Sequence, residues 1–258
     1  MIGLERAITI AVGERSLAGT IVPPAAQCEG VLFIHGWAGD QRQYIARARE
    51  IAALGCMCLT FDLYGHAATA SFRASATPEQ NCSDVLSAYD LLIGTANVDP
   101  RRIGVIGSSY GGYLAAILTK TRPVRWLGLR APALYLDEDW TKPKLSIDRT
   151  RLMEYRLQSI KPEDNQALSA CADFSGDVLL VESEDDLIVP AQVGTNYRTA
   201  FANARSLTYR RIEDADHALS ESRWQRAYTE LLVSWARQFI VAQRRNEIEK
   251  RDEQRLGG

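Results

Sequence analysis

The stretch "GVIGSSYGGYLA", Gly104 to Ala115, sets two adjacent serines among glycines. A serine hydroxyl becomes a nucleophile when the backbone holds it clear and a neighbouring base takes its proton. Gly107, Ser109 and Gly111 fit G-x-S-x-G. In a sharp strand-to-helix turn, glycines two positions either side of the serine remove Cβ atoms that would collide. Centring the motif on Ser108 would require glycines where Ile106 and Tyr110 stand, so Ser109 is the candidate nucleophile and Ser108 a structural neighbour. The base needs a pKa near 7, which points to histidine. The chain has three. His35, in "LFIHGWAG", suits a backbone turn; His66, in "FDLYGHAA", suits a hydrogen bond that fixes a loop. His217, in "IEDADHALS", follows the last strand-like segment and is the candidate base. A carboxylate must orient the imidazole and offset its charge. The segment "VLLVESEDDLIVP" offers Glu182, Glu184, Asp185 and Asp186, and its spacing does not choose among them.

Strand-like segments recur as "RAITIAV", "LAGTIVP", "GVLFIHG", "CMCLTFDL", "RIGVIG", "RWLGLRA", "DVLLVES" and "SLTYRRIE". The middle ones are nearly continuous apolar runs, the pattern of strands buried on both faces. Apolar residues at helical spacing predict helices over 42–54, 79–94, 110–120, 190–204 and 221–242. In the last, Trp224, Tyr228, Leu231, Leu232, Trp235 and Phe239 form one stripe, read as core packing. Two leading strands and then alternating strands and helices predict an α/β domain: a mainly parallel eight-stranded sheet, antiparallel at its start and flanked by helices. Residues 135–175, between strands 6 and 7, are too long for a simple loop. "DRTRLMEYRLQSI" within them has helical spacing, so a short helical insertion or small lid is expected. With no linker in view, residues 1–258 read as one domain ending in a charged tail, 243–258.

Composition excludes several classes. The 30 basic residues against 32 acidic ones, for a net charge of −2, provide no global field for a polyanion, so no nucleic-acid partner is expected. No apolar run reaches the ~18 residues of a membrane span. The N-terminal "MIGLERAITI" carries charge where a signal peptide has its apolar core, so the expectation is a cytoplasmic protein without a membrane partner. The five cysteines are odd in number and set mostly in apolar stretches, which fits reduced buried thiols. No cysteine spacing matches a metal site, and neither metal nor cofactor is expected.

Through "HGWAG", "FDLYGH", "GSSYGGYLA", "SEDDLIVP" and "DADHAL", in that order, residues 5–242 resemble the α/β-hydrolase superfamily. Within it they look like dienelactone-hydrolase-like esterases and prolyl-oligopeptidase-like catalytic domains. The resemblance implies an α/β-hydrolase fold and the order nucleophile, acid, base. Relatives carry the acid in G-x-x-D-x-x-V-P; aligned on Val189 and Pro190, this implies Asp186, with Ser183 in place of the glycine and Asp185 or Glu184 as alternatives. It also implies an oxyanion hole made by the backbone N–H groups of Trp37 and Tyr110, with the Trp37 indole as a pocket wall.

The resulting expectation is a serine esterase of small-molecule substrates, with Ser109, His217 and Asp186 as its triad. Thioester or aminoacyl-amide cleavage uses the same machinery, and a ligand-binding receptor or scaffold with little turnover is the alternative of another class. Dienelactone hydrolases proper use cysteine where Ser109 stands, so that particular activity is not implied. Leu134, Tyr135, Trp140 and Met153, together with Trp37, are the pocket candidates, with packing of the insertion as the competing reading. Acyl and alcohol groups and oligomeric state are not readable.

Overall fold

The structure, a computed structural model, describes residues 5–23 and 28–256. Eight strands form one sheet in the order β1-β2-β4-β3-β5-β6-β7-β8. They are β1 (Arg6–Val12), β2 (Arg15–Val22), β3 (Cys28–Ile34), β4 (Met57–Phe61), β5 (Val98–Ser108), β6 (Trp126–Arg130), β7 (Asp177–Ser183) and β8 (Ser206–Ile212). β2 pairs antiparallel with β1 and with β4, and every other pairing is parallel. This is the α/β-hydrolase architecture, an open sheet with an antiparallel start.

Helices cover both faces: α1 (Arg42–Ala53), α2 (Pro78–Ile93), α3 (Tyr110–Leu118), α4 (Arg149–Arg156), α5 (Gln166–Asp173), α6 (Ala191–Ala200) and α7 (Ser222–Leu256). The strand repeat of two sorts side chains between the layers. On β3, Leu32 and Ile34 join a core built with α2, α3, α5 and α6, whereas Val31 and Phe33 join one built with α1 and α7. Each fully buried aliphatic or Phe side chain contributes about 1.5–3 kcal/mol, so both layers are anchored along the length of the strands. α2 begins where Thr77 and Gln80 form a reciprocal capping box with Pro78 in the first turn.

Three boundaries differ from the sequence expectation. α4 stops at Arg156 although helical spacing continues to Ile160; it is capped at its start by Asp148, whose side chain accepts from the N–H groups of Thr150 and Arg151. α5 falls inside the expected 135–175 insertion but packs on α3 and α6 as a sheet-covering helix, so the inserted structure proper is α4 with its flanking short turns. α7 continues past 242 to Leu256, because the Glu, Lys, Arg and Gln residues beyond the apolar stripe are strong helix formers. The charged tail is thus a continuation of α7, and its last two glycines lie outside the described residues.

Candidate active site

β3 and β5 are neighbours although β4 intervenes in sequence, and chain progression reverses between them. Crevices at the carboxyl ends of strands open at such a switch point. Trp37 follows β3 and Ser109 follows β5, in a register that pairs Ile34 with Gly107.

Ser109 has φ 52° and ψ −118°, outside the regions open to L-residues, and α3 starts at the next residue. The turn is tight enough to dictate its glycines. A Cβ on Gly107 would lie 2.3 Å from the Gly111 carbonyl oxygen, and one on Gly111 would lie 2.3 Å from that of Ile34. The Ser109 N–H donates to the Arg130 carbonyl oxygen at 2.8 Å, and its own carbonyl oxygen accepts from Ala133 at 2.9 Å. Ser108 is buried in β5, paired in register with Arg130.

His217 Nε2 lies 2.8 Å from Ser109 Oγ, and His217 Nδ1 lies 2.6 Å from Asp186 Oδ2. An ionised carboxylate only accepts, so Nδ1 carries the proton and Nε2 faces the serine hydroxyl as acceptor. The other Asp186 oxygen accepts from the N–H groups of Ile188 (2.9 Å) and Val189 (2.8 Å). Burial would raise the Asp186 pKa; the bonds from His217 and the two amides outweigh it and hold the carboxyl below its usual range. The neighbouring acids go elsewhere: Glu182 accepts from Tyr209 at 2.7 Å, Glu184 accepts from the Asp214 N–H at 3.1 Å, and Asp185 is exposed.

The Tyr110 N–H is the first of α3, one of the donors a helix leaves without an internal partner. Its buried ring is fixed by a 2.9 Å bond from the hydroxyl to Asn81 Oδ1 and packs edge-on against the Trp37 indole, centroids 5.5 Å apart. Two buried histidines hold the Trp37 loop. His35 Nε2 accepts from Leu63 N–H at 3.0 Å, and His66 Nε2 accepts from Ala38 N–H at 3.2 Å. Their Nδ1 atoms lie 2.7 Å from the Gly36 carbonyl oxygen and 3.2 Å from that of Tyr64, positions from which a neutral ring donates. Burial pushes both rings down to about 4, so they accept as neutral bases at neutral pH.

Arg130 went unrecognised in the sequence as a site residue. Buried at the end of β6, it donates to the His217 carbonyl oxygen and, at 3.3 Å, to Ser183 Oγ, tying the His217 loop to the sheet. A charged residue closing the apolar strand "WLGLR" was the available signal. Desolvation lowers its pKa, although the guanidinium remains charged.

Two cavities flank Ser109, and Trp37 lines both. One, of about 360 Å³, lies between the Trp37 loop, α1 and α7, with Arg47, Arg130 and Tyr228 in its walls. The other, of about 330 Å³, lies beneath the insertion. Tyr135 and Met153 line the second cavity, but Leu134 and Trp140 do not. Leu134 is fully buried in the core and Trp140 packs against it, so these two serve the insertion's packing. Leu145, Ile147, Leu152 and Ile188 supply apolar wall instead. Among the described residues no cluster of three His, Cys, Asp or Glu could hold a metal ion, and no helix is long and apolar enough to cross a membrane.

Sheet order and switch-point geometry give the chain the α/β-hydrolase fold. More narrowly, it belongs to the prolyl oligopeptidase family, which it matches over residues 47–242. An uncharacterized protein of Mycobacterium tuberculosis is 29% identical over 178 residues, 68% of this chain and 58% of that protein. The chain therefore spans little more than half the length of the curated relatives it matches. A dienelactone hydrolase from Anabaena variabilis superposes with a TM-score of 0.65 at 20% identity, covering 90% of this chain and 96% of that one. A puromycin-hydrolyzing peptidase of Mycobacterium tuberculosis gives 0.68 at 16% identity, covering 91% and 40%. An esterase of Pyrococcus furiosus gives 0.68 at 15% identity, covering 91% of each chain.

Proposed function

We propose that this chain hydrolyses carboxylic esters of small molecules through an acyl-enzyme formed on Ser109. The observation that carries the reading is the unbroken chain Asp186 Oδ2, His217 Nδ1, His217 Nε2, Ser109 Oγ, with contacts of 2.6 and 2.8 Å. His217 takes the hydroxyl proton as Ser109 Oγ bonds to the acyl carbon, then returns it to the departing alkoxide. Asp186 holds the imidazole in the required tautomer and offsets its positive charge. Water, deprotonated by His217, then attacks the acyl-enzyme and restores Ser109. The N–H groups of Trp37 and Tyr110 serve the oxyanion, each contributing roughly 3 kcal/mol in the transition state. Residues 5–256 act as one domain in this reading.

The family match favours a second reading, cleavage of aminoacyl amides on the same triad. Against a free α-ammonium at the acyl side stands the cavity beneath the insertion, lined by Lys144, Arg149 and Arg156 and by no aspartate or glutamate. A fluorophosphonate probe combined with a panel of esters, thioesters and aminoacyl anilides tests the proposal. Labelling at Ser109 and ester turnover are expected, with turnover abolished in Ser109→Ala and His217→Ala and measurable in Ser108→Ala. Absence of both labelling and turnover overturns it; labelling with negligible turnover returns the reading to a receptor on this fold.

A further inference from the structure

The basic residues around the insertion fall into two groups. Lys142 pairs with the buried Asp139 at 2.8 Å, and Arg151 pairs with Glu138 at the outer surface. Lys144 and Arg156 line the cavity that reaches Ser109 and His217, and neither takes part in an ion pair among the described residues. Arg156 is buried and donates to the carbonyl oxygens of Leu134 (2.9 Å) and Ile188 (3.2 Å). Lys144 Nζ sits 4.6, 5.0 and 4.7 Å from the ring centroids of Trp37, Tyr110 and Tyr135. Three aromatic faces stabilise an ammonium through their quadrupoles, but a face does not replace a hydrogen-bond acceptor. Burial would raise the Tyr135 pKa, yet Lys144 and Arg156 outweigh it and hold the phenol below its usual value, a sign of positive potential at this wall.

We propose that Lys144 is a specificity-determining residue that binds a carboxylate carried on the acyl group of the substrate. This rests on the hydrolase reading above. The rings that cage Lys144 belong partly to Trp37 and Tyr110, the residues whose N–H groups serve the oxyanion. The carboxylate therefore lies only a few carbons from the carbonyl that Ser109 attacks. Held between rings, the ammonium has little rotamer freedom left to lose, which favours anion binding over solvation of a free lysine. The anion can come from a dicarboxylic half-ester or from an acidic amino acid on the acyl side, and matched substrates separate these sources.

The test compares the mono-4-methylumbelliferyl ester of adipic acid with the same ester of its uncharged half-amide, and the 4-nitroanilides of N-acetylglutamic acid and N-acetylglutamine, whose blocked amines put no ammonium in the cationic cavity. For at least one pair the wild type should favour the charged member by about tenfold or more in kcat/KM, the size expected of one charge-assisted hydrogen bond. Lys144→Met should collapse that ratio towards one, and Lys144→Arg should restore most of it. A wild type indifferent to the charge overturns the proposal, as does a Lys144→Met ratio equal to that of the wild type. Calorimetry with adipate supplies a readout independent of turnover. Binding that is lost in Lys144→Met supports the proposal even if no substrate is cleaved, which would sink the hydrolase reading alone. Failure of the wild type to bind adipate while it cleaves the uncharged esters overturns this proposal alone, and failure to bind adipate with no substrate of either kind cleaved overturns both.

Discussion

At φ 52° and ψ −118°, Ser109 carries backbone strain that a stability measurement can isolate by pairing two substitutions. Ser109→Ala and Ser109→Gly both delete the hydroxyl and its 2.8 Å contact with His217 Nε2, so that loss cancels between them. Only alanine keeps the Cβ that makes the conformation costly. A non-glycine residue held in such a region costs about 1–3 kcal/mol. Glycine escapes that cost but gives up about 0.5–1 kcal/mol through the greater freedom of its unfolded chain. Taking the middle of each range, the glycine variant should be more stable than the alanine variant by about 1 kcal/mol, the reverse of the roughly 1 kcal/mol deficit of glycine in an ordinary helix. In urea the difference appears as a higher midpoint at unchanged m, and thermally as a rise of a few degrees. If Ser109→Ala unfolds at the same midpoint as Ser109→Gly or a higher one, the turn is unstrained and the argument from its glycines fails.

The acid can be assigned by comparing neighbours: Asp186→Asn should lower kcat by ~10³-fold or more because the imidazole loses its tautomer lock, whereas Asp185→Asn and Glu184→Gln should stay within a few-fold of wild type. Acid stability follows from His35 and His66, whose pKa values burial lowers to about 4 from 6.5. Between those values the unfolded chain binds protons that the folded one refuses, so stability is full above about 6.5 and falls as the pH drops toward about 4. Each histidine contributes a slope of up to about 1.4 kcal/mol per pH unit; urea titrations across this window should show it, and His66→Gln should flatten it.

Much of the architecture was legible because strands buried on both faces read as apolar runs and the helices between them read as stripes. The turn at Ser109, the proposed nucleophile, was legible for a steric reason: the Cβ distances at Gly107 and Gly111 make those glycines a requirement of the turn. The carboxylate that meets His217 was not legible from residues alone. Glu182 lies in β7 and Glu184, Asp185 and Asp186 follow the strand in one loop, and only the path of the chain brings Asp186 to His217 while Glu182 and Glu184 bond elsewhere. Pocket residues were harder still. Leu134 and Tyr135 are sequence neighbours, yet one enters the core and the other the cavity wall, a division set by how the chain leaves β6 after Ala131, itself at φ 40°. Nothing in the sequence singles out Lys144, and only the folded chain brings three rings around it.

The pairing of Ile34 with Gly107 joins segments far apart in the chain and helps set the loop of Trp37 against the turn of Ser109. A slip of one residue there would displace one against the other by about 3.3 Å and reverse the faces of every side chain along the strand. On the proposed reading, turnover is consequently a gauge of conformational fidelity. Refolding chains should regain secondary structure, and even compactness, before they regain any activity. The last increment of catalysis should appear together with closure of this long-range strand pair, the kind of contact that forms late because its loop-closure entropy must be met first.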